Sequence, residues 1–270
     1  MSYSLLACDL DGTLLNDNKE VSFGNKTAIE KASALGKTVI YATGRSLSEM
    51  VEYGDLLPVR YGILESSSLI YDFKEKKILR RETLDPEIIL ELLDIIEKED
   101  VMITAFSSGK SYCGKDEMAN MAKYCMGNYK DLYDKVSCGL DIRKFMKENK
   151  EDIEKILIYC QNTSQREEIN KEVNKLKVKT AFAFTASLEI SPFGLDKSDG
   201  LKYICDLLDI PVSETIAVGD GDNDKDLLNC AGLSIAVNNA VDSLKEIADI
   251  VIVNDNNHDA VKEVIEEYLI

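Results

Sequence analysis

The sequence predicts an α/β fold, a mostly parallel sheet interrupted by an inserted second α/β domain. Three observations carry this. The apolar run Tyr3 to Cys8, the helical pattern of Ala28, Ile29, Ala32 and Leu35, and the apolar run Thr38 to Ala42 form a strand-helix-strand unit. Two acidic loops, Asp9-Leu10-Asp11-Gly12-Thr13 and Gly219-Asp220-Gly221-Asp222-Asn223-Asp224, each follow a short buried-looking strand. In an open α/β sheet, that carboxyl end is where ligands bind. Finally, the interval from Thr83 to Ala186 alternates helical and strand patterns but holds no loop of this kind.

Composition narrows the function classes. The chain has 270 residues, enough for one large domain or two modest ones, and its 45% hydrophobic and 30% charged content is that of a soluble globular protein. A net charge of -17 argues against nucleic acid and anionic membranes as partners. An anionic substrate would need local relief from a metal or a lysine. Seven cysteines, an odd number without a Cys-x-x-Cys pair, point to reduced thiols in a cytoplasmic protein. No apolar run has the length of a membrane-spanning helix, and no cationic leader precedes an apolar stretch.

A straight strand would send carboxylates at i and i+2, here Asp9 and Asp11, to one side, but the strand is just ending and lifts the pair off the end of the sheet. Gly12 lets the backbone turn away. One carboxylate of such a pair can serve as nucleophile and the other as general acid and base. A solvated acidic turn is the plainer reading. A calcium loop is excluded, because the sixth position counted from Asp9 is Leu14 and not glycine. The second strand ends in Thr43-Gly44-Arg45, a hydroxyl and an accessible amide suited to phosphate. The same residues also fit a plain turn, with Ser46 as cap and Glu49 completing a capping box.

Short strands follow at Tyr61–Leu64, Ser68–Asp72 and Lys77–Leu79. Beyond Thr83 come a helix through Ile88, Ile89, Leu92, Leu93 and Ile96, a strand Val101 to Phe106, and a hairpin bracketed by Gly109 and Gly114. The segment 116–150 is rich in Met and Tyr, and core packing accounts for these better than a substrate-facing surface. A strand Ile153 to Cys160, a helix opened by Ser164 with Glu167 in a capping box, and a strand Val178 to Thr185 complete the insertion. Leu188 to Ser191 is expected to return to the first domain. The expected domains are therefore 1–82 with 187–270, and 83–186.

Lys197 opens a helix carrying Leu201, Ile204, Cys205 and Leu208. A lysine there opposes the helix dipole unless an anion binds at that end. Thr215 to Val218 runs into the second acidic loop, whose sixth and twelfth positions from Asp220, Lys225 and Ala231, exclude a calcium loop. The only histidine, His258, precedes the last helix without a partner carboxylate or cysteine constellation and is assigned a structural or surface role.

Taken together, Asp9–Thr13, Thr43–Arg45, Lys197 and Gly219–Asp224 resemble the four motifs of haloacid dehalogenase-superfamily phosphatases of the Cof type. The resemblance covers the flanking parts of the chain by motif, and the insertion by position and length. It implies a Rossmann-like core with an α/β cap over its carboxyl edge, and a magnesium-dependent phosphatase acting on small phosphate monoesters such as sugar phosphates. It gives Asp9 the role of nucleophile and Asp11 that of proton carrier. It implies Mg2+ held by Asp9, the Asp11 carbonyl and Asp220. Thr43, Gly44 and Lys197 take phosphate oxygens, Asn223 orients the phosphate, and Asp224 supports the metal indirectly. A phosphomutase or a non-catalytic binding protein on the same scaffold are the alternatives. One departure stands out: Glu65-Ser66-Ser67-Ser68 replaces an Asn-Gly turn usual in this layout, which is expected to loosen the turn or change what faces the site.

Overall fold

The computed structural model describes residues 3–182 and 185–270. In chain order the strands are β1 (Leu5–Cys8), β2 (Thr38–Ala42), β3 (Tyr61–Leu64), β4 (Leu69–Asp72), β5 (Lys77–Arg81), β6 (Met102–Ser107) and β7 (Lys110–Gly114). They continue with β8 (Ser137–Leu140), β9 (Lys155–Tyr159), β10 (Val178–Ala181), β11 (Ser187–Pro192), β12 (Thr215–Gly219), β13 (Leu233–Ala236) and β14 (Ile250–Val251). The expected strand through Thr185 includes residues 183 and 184, which lie outside the described residues. The chain divides into two compact units, Met1–Arg45 with Val51–Arg80 and Asp196–Ile270, and Ser46–Met50 with Arg81–Leu195.

The first unit is built on an eight-stranded sheet ordered β14-β13-β12-β1-β2-β3-β4-β5. The ladders from β14 to β3 are parallel, and β3 with β4 is antiparallel. β1 lies between β2 and β12, with Cys8 opposite Tyr41 and Val218. Leu5, Leu6, Ala7 and Cys8 are fully buried, as expected of a parallel strand covered on both faces. This register brings the ends of β1, β2 and β12 to one edge. Helix Lys197–Leu208 packs close to β3, because a Cβ on Gly200 would stand 2.6 Å from Ile63 Cγ2.

The serine-rich turn is held rather than loose. Glu65, Ser66 and Ser67 adopt left-handed φ values of 52°, 57° and 91°, a conformation non-glycine residues rarely take. Arg80 Nη2 donates to the Ser67 carbonyl and hydroxyl at 3.3 and 3.1 Å.

The second unit contains a six-stranded sheet ordered β10-β11-β9-β6-β7-β8. Here two expectations are corrected. Leu188 to Ser191 does not return to the first sheet: β11 runs antiparallel between β9 and β10, pairing Leu188 with Ile158. Its inward residues Leu188 and Ile190 are fully buried in the apolar cluster of Ile156, Ile158 and Ile103, so the strand belongs where its hydrophobic side is covered. The expected boundaries at 83 and 186 accordingly move to 81 and 195, and Ser46–Met50 joins this unit. The helix expected to open at Ser164 is Thr163–Val173, capped by Asn162, whose side chain accepts from the Gln165 amide. Met118, Met121, Tyr124, Met126 and Tyr133 form a buried cluster with Phe106 and Tyr159, which is the packing role read from composition. His258 is exposed and bonds Asp255 at 2.6 Å. Among the described residues no helix is long and apolar enough to cross a membrane.

Leu188→Ala tests the corrected strand. Truncating a fully buried leucine in a packed cluster should lower stability by about 2–5 kcal/mol. A urea midpoint equal to that of the parent would contradict the placement of β11.

Candidate active site

β1 ends at Cys8, and the Asp9 amide still donates to the Val218 carbonyl of β12 at 3.0 Å. Asp9 is therefore fixed by the ladder and almost fully buried. Asp11 follows two residues later, past the end of the strand. The strand has ended and the chain turns through Gly12 at φ 81°, so period-2 alternation no longer applies. Asp9 turns to Lys197, while Asp11 turns to Arg45 and Lys19.

Lys197 is the first residue of its helix. Asp196 caps it, accepting from the Ser198 amide at 2.8 Å, and Asp199 reciprocates to the Asp196 amide at 2.9 Å. The ammonium group is buried and lies 2.7 Å from Asp9 Oδ1 and 2.6 Å from Asp224 Oδ1. Asp224 Oδ2 accepts from the amides of Asp220 and Gly221, both at 3.1 Å, so the acidic loop after β12 is closed on its own carboxylate. Thr13 Oγ1 donates to Asp220 Oδ1 at 3.1 Å. A Cβ on Gly12 would lie 2.3 Å from Asp220 Oδ2, so only glycine allows this approach.

The structure thus joins Asp9, Lys197, Asp220 and Asp224. Thr43 is buried directly after β2, with its amide bonded to the Ile63 carbonyl at 2.8 Å, and half-buried Gly44 follows. Because β1 and β2 are parallel neighbours, both stand at the same sheet edge as Asp9. Asn223 is exposed, and its Oδ1 lies over Gly221. Asp222 is exposed too and bonds Lys225 and Ser243.

Three carboxylates face one ammonium, and the electrostatics follow from this. Burial lowers the Lys197 pKa, but Asp224 and Asp9 outweigh it and hold the amine above its ordinary value. Burial and the neighbouring Asp224 raise Asp9 well above the usual carboxylate range despite Lys197. Burial and Asp224 push Asp220 up to about 6, against the Thr13 hydrogen bond. Asp11 behaves oppositely. Partial burial raises it, but Arg45 and Lys19 prevail and lower it to about 2.

This donor set fits a hard divalent cation. Carboxylate oxygens of Asp9, Asp220 and Asp224 lie within 4.8 Å of one another, and magnesium ligands opposed across an octahedron are about 4.2 Å apart. Asp9 and Asp220 each keep an oxygen that accepts no hydrogen bond from the described residues. Both oxygens of Asp224 are already used, which suits an indirect role.

Sequence reading missed Arg45 and Lys19. In the sequence Arg45 stands only as the end of Thr43-Gly44-Arg45, and nothing local marks Lys19. Their approach to Asp11 depends on how the loop after β1 folds against the end of β2.

Comparison with known proteins identifies the family. A family model described as haloacid dehalogenase-like hydrolase matches residues 6–265. Phosphatase YwpJ of Bacillus subtilis is 24% identical over 290 residues, covering 94% of this chain and 96% of its own. The B. subtilis 5-amino-6-(5-phospho-D-ribitylamino)uracil phosphatase YcsE is 27% identical over 268 residues, covering 98% and 96%. A solved haloacid dehalogenase-like hydrolase from B. subtilis superposes with a TM-score of 0.85 at 26% identity, covering 98% of this chain and 100% of that one. The chain belongs to the haloacid dehalogenase-like hydrolase family.

The metal-free protein carries a pH signature. Asp220 has a folded pKa of about 6, above an unfolded value of about 3.9. Between these values the folded state binds the extra proton, so this group's contribution to stability rises as pH falls from 6 toward 4. Asp220→Asn should flatten that part of a stability–pH curve measured by urea unfolding in chelator. An unchanged slope would contradict the burial of Asp220 among like charges.

Proposed function

We propose, from the chain's membership of this family, that it is a magnesium-dependent phosphatase. It hydrolyses small phosphate monoesters through an aspartyl-phosphate on Asp9. The observation that carries the reading is the buried Asp9, set by β1 and β12 and salt-bridged to Lys197, with one oxygen left open.

Asp9 Oδ2 attacks phosphorus. The bond from phosphorus to the ester oxygen breaks, its electron pair stays on that oxygen, and Asp11 supplies the proton that makes the alcohol. Water then attacks the aspartyl-phosphate and gives its proton to the Asp11 carboxylate. The phosphorus–Asp9 bond breaks, and inorganic phosphate leaves. In the resting geometry Asp11 is the ionised partner of Arg45 and Lys19, the state the second step needs, and the proton it takes from water in that step is the one it gives to the leaving alkoxide of the next turnover. Lys197, the Thr43 hydroxyl and the Gly44 amide hold phosphate oxygens, and Asn223 orients the group. Asp9, Asp220 and the Asp11 carbonyl would hold Mg2+, with Asp224 bracing the loop behind them. The ion, when bound, offsets the negative charge that nucleophile and phosphate bring together. Phosphate-monoester hydrolysis is among the slowest uncatalysed reactions, with enzymatic accelerations up to ~10²¹, so fixed positive charge is the expected means.

The substrate class is proposed as sugar phosphates or related metabolites. The phosphoribityl compound for which YcsE is named falls within it. The second unit is proposed as the substrate-selecting domain. Its sheet carries a buried Lys155–Glu189 ion pair at 2.8 Å, a polar feature its apolar core does not require.

Asp9→Asn should abolish magnesium-dependent phosphate release from a panel of sugar, nucleotide, flavin and pyridoxal phosphates, with an unfolding transition retained. Full activity in that variant would end the covalent mechanism. Retention of the phosphoryl group in a rearranged product would favour a phosphomutase instead.

A further inference from the structure

The Asp11 carboxylate is not left to a flexible loop. Arg45 Nε donates to Oδ2 at 2.7 Å and Arg45 Nη2 to Oδ1 at 2.8 Å, a two-pronged guanidinium–carboxylate contact. Lys19 Nζ donates to Oδ1 at 2.8 Å. Both cations are themselves supported by one side chain. The Arg45 guanidinium lies 4.9 Å from the centre of the Tyr53 ring, and the Tyr53 hydroxyl donates to the Lys19 carbonyl at 2.9 Å. The Tyr53 carbonyl in turn accepts from the Tyr41 hydroxyl of β2 at 3.1 Å. The loop that presents Lys19 is shaped by Asn16, whose Oδ1 accepts from the amides of Asn18 and Glu20 at 3.0 and 2.9 Å.

We propose that Arg45, with Lys19, is a positioning residue that fixes the Asp11 carboxylate where it takes the proton of the hydrolytic water. A single ammonium would leave the carboxylate free to rotate about its side-chain bonds. The planar fork of Arg45 engages both oxygens and sets the orientation of the carboxylate plane, and Tyr53 sets the plane of the fork. This rests on the phosphatase reading, and it makes a separate demand. Water activation concerns only the second half of the reaction, the hydrolysis of the aspartyl-phosphate. With an aryl ester, whose leaving group departs without a proton, phosphoryl transfer to Asp9 does not need Asp11 placed in this way.

Arg45→Met, Arg45→Lys and Lys19→Met, each shown by thermal unfolding to be folded, are compared with the parent on p-nitrophenyl phosphate at saturating Mg2+. Stopped-flow gives the first-turnover release of p-nitrophenol, and steady state gives kcat. General acid–base catalysis contributes about 10²–10⁴-fold, and misplacing the base should forfeit a part of it. In Arg45→Met, kcat is expected to fall about 10–100-fold while the first-turnover rate falls by much less, so that phosphorylated Asp9 accumulates. Arg45→Lys, which keeps the charge without the fork, should recover only part of the loss, and Lys19→Met should lose less than Arg45→Met. An equal fall in both rates, or no fall in kcat, overturns the positioning role. Absence of any phosphorylated Asp9 in the parent and in every variant counts against the covalent reading itself, which separates the two failures.

Discussion

Lys197 is a fully buried cation whose ammonium group is shared between Asp9 and Asp224. Taking such charges out of water is costly, and the arrangement survives only because every member is paired or hydrogen-bonded. Asp9 is held by the ladder of β1 with β12, Lys197 by a capped helix start, and Asp224 by two amides of its own loop. These segments lie 188 and 27 residues apart in the chain. The nucleophile proposed here therefore has no environment until both ends of the chain have folded into one unit. The remaining excess of negative charge, from three carboxylates against one lysine, is what suits the cluster to a cation.

Much of this was legible from residues alone, for identifiable reasons. Buried parallel strands read as apolar runs, and Leu5–Cys8, Thr38–Ala42 and Thr215–Gly219 are such runs. Acidic loops at their ends mark the sheet edge directly. The strand stops at Cys8, so alternation along it does not fix where the Asp11 carboxylate points. Arg45 escapes a local reading because its salt bridge to Asp11 spans 34 residues, and Lys19, 8 residues from Asp11, because it lies in a polar loop without a periodic pattern.

The second unit was harder to read because its boundaries carry no compositional mark. Ser187–Pro192 has the pattern of any half-buried strand, and pairing with β9 and β10, not its sequence, assigns it to the second sheet. By sequence, Ser46 and Glu49 of the segment Ser46–Met50 fit a plain capped turn before a helix. Glu49 does accept from the Ser46 amide at 2.8 Å, yet the segment joins the second unit through the bond from the Ser48 amide to the Gly109 carbonyl. The methionine and tyrosine enrichment resolved into a core because Tyr133 and Tyr159 satisfy each other's hydroxyls at 2.5 Å, which lets both be buried.

The account turns on Asp9 being the atom-bearing nucleophile rather than only a metal ligand. Rapid acid quench during turnover of a phosphate ester, followed by borohydride reduction and peptide mass spectrometry, reads this directly. An acyl phosphate is reduced to an alcohol, so the account predicts homoserine at position 9 and at no other aspartate. Reduction at another carboxylate, or none at any during active turnover, would contradict it.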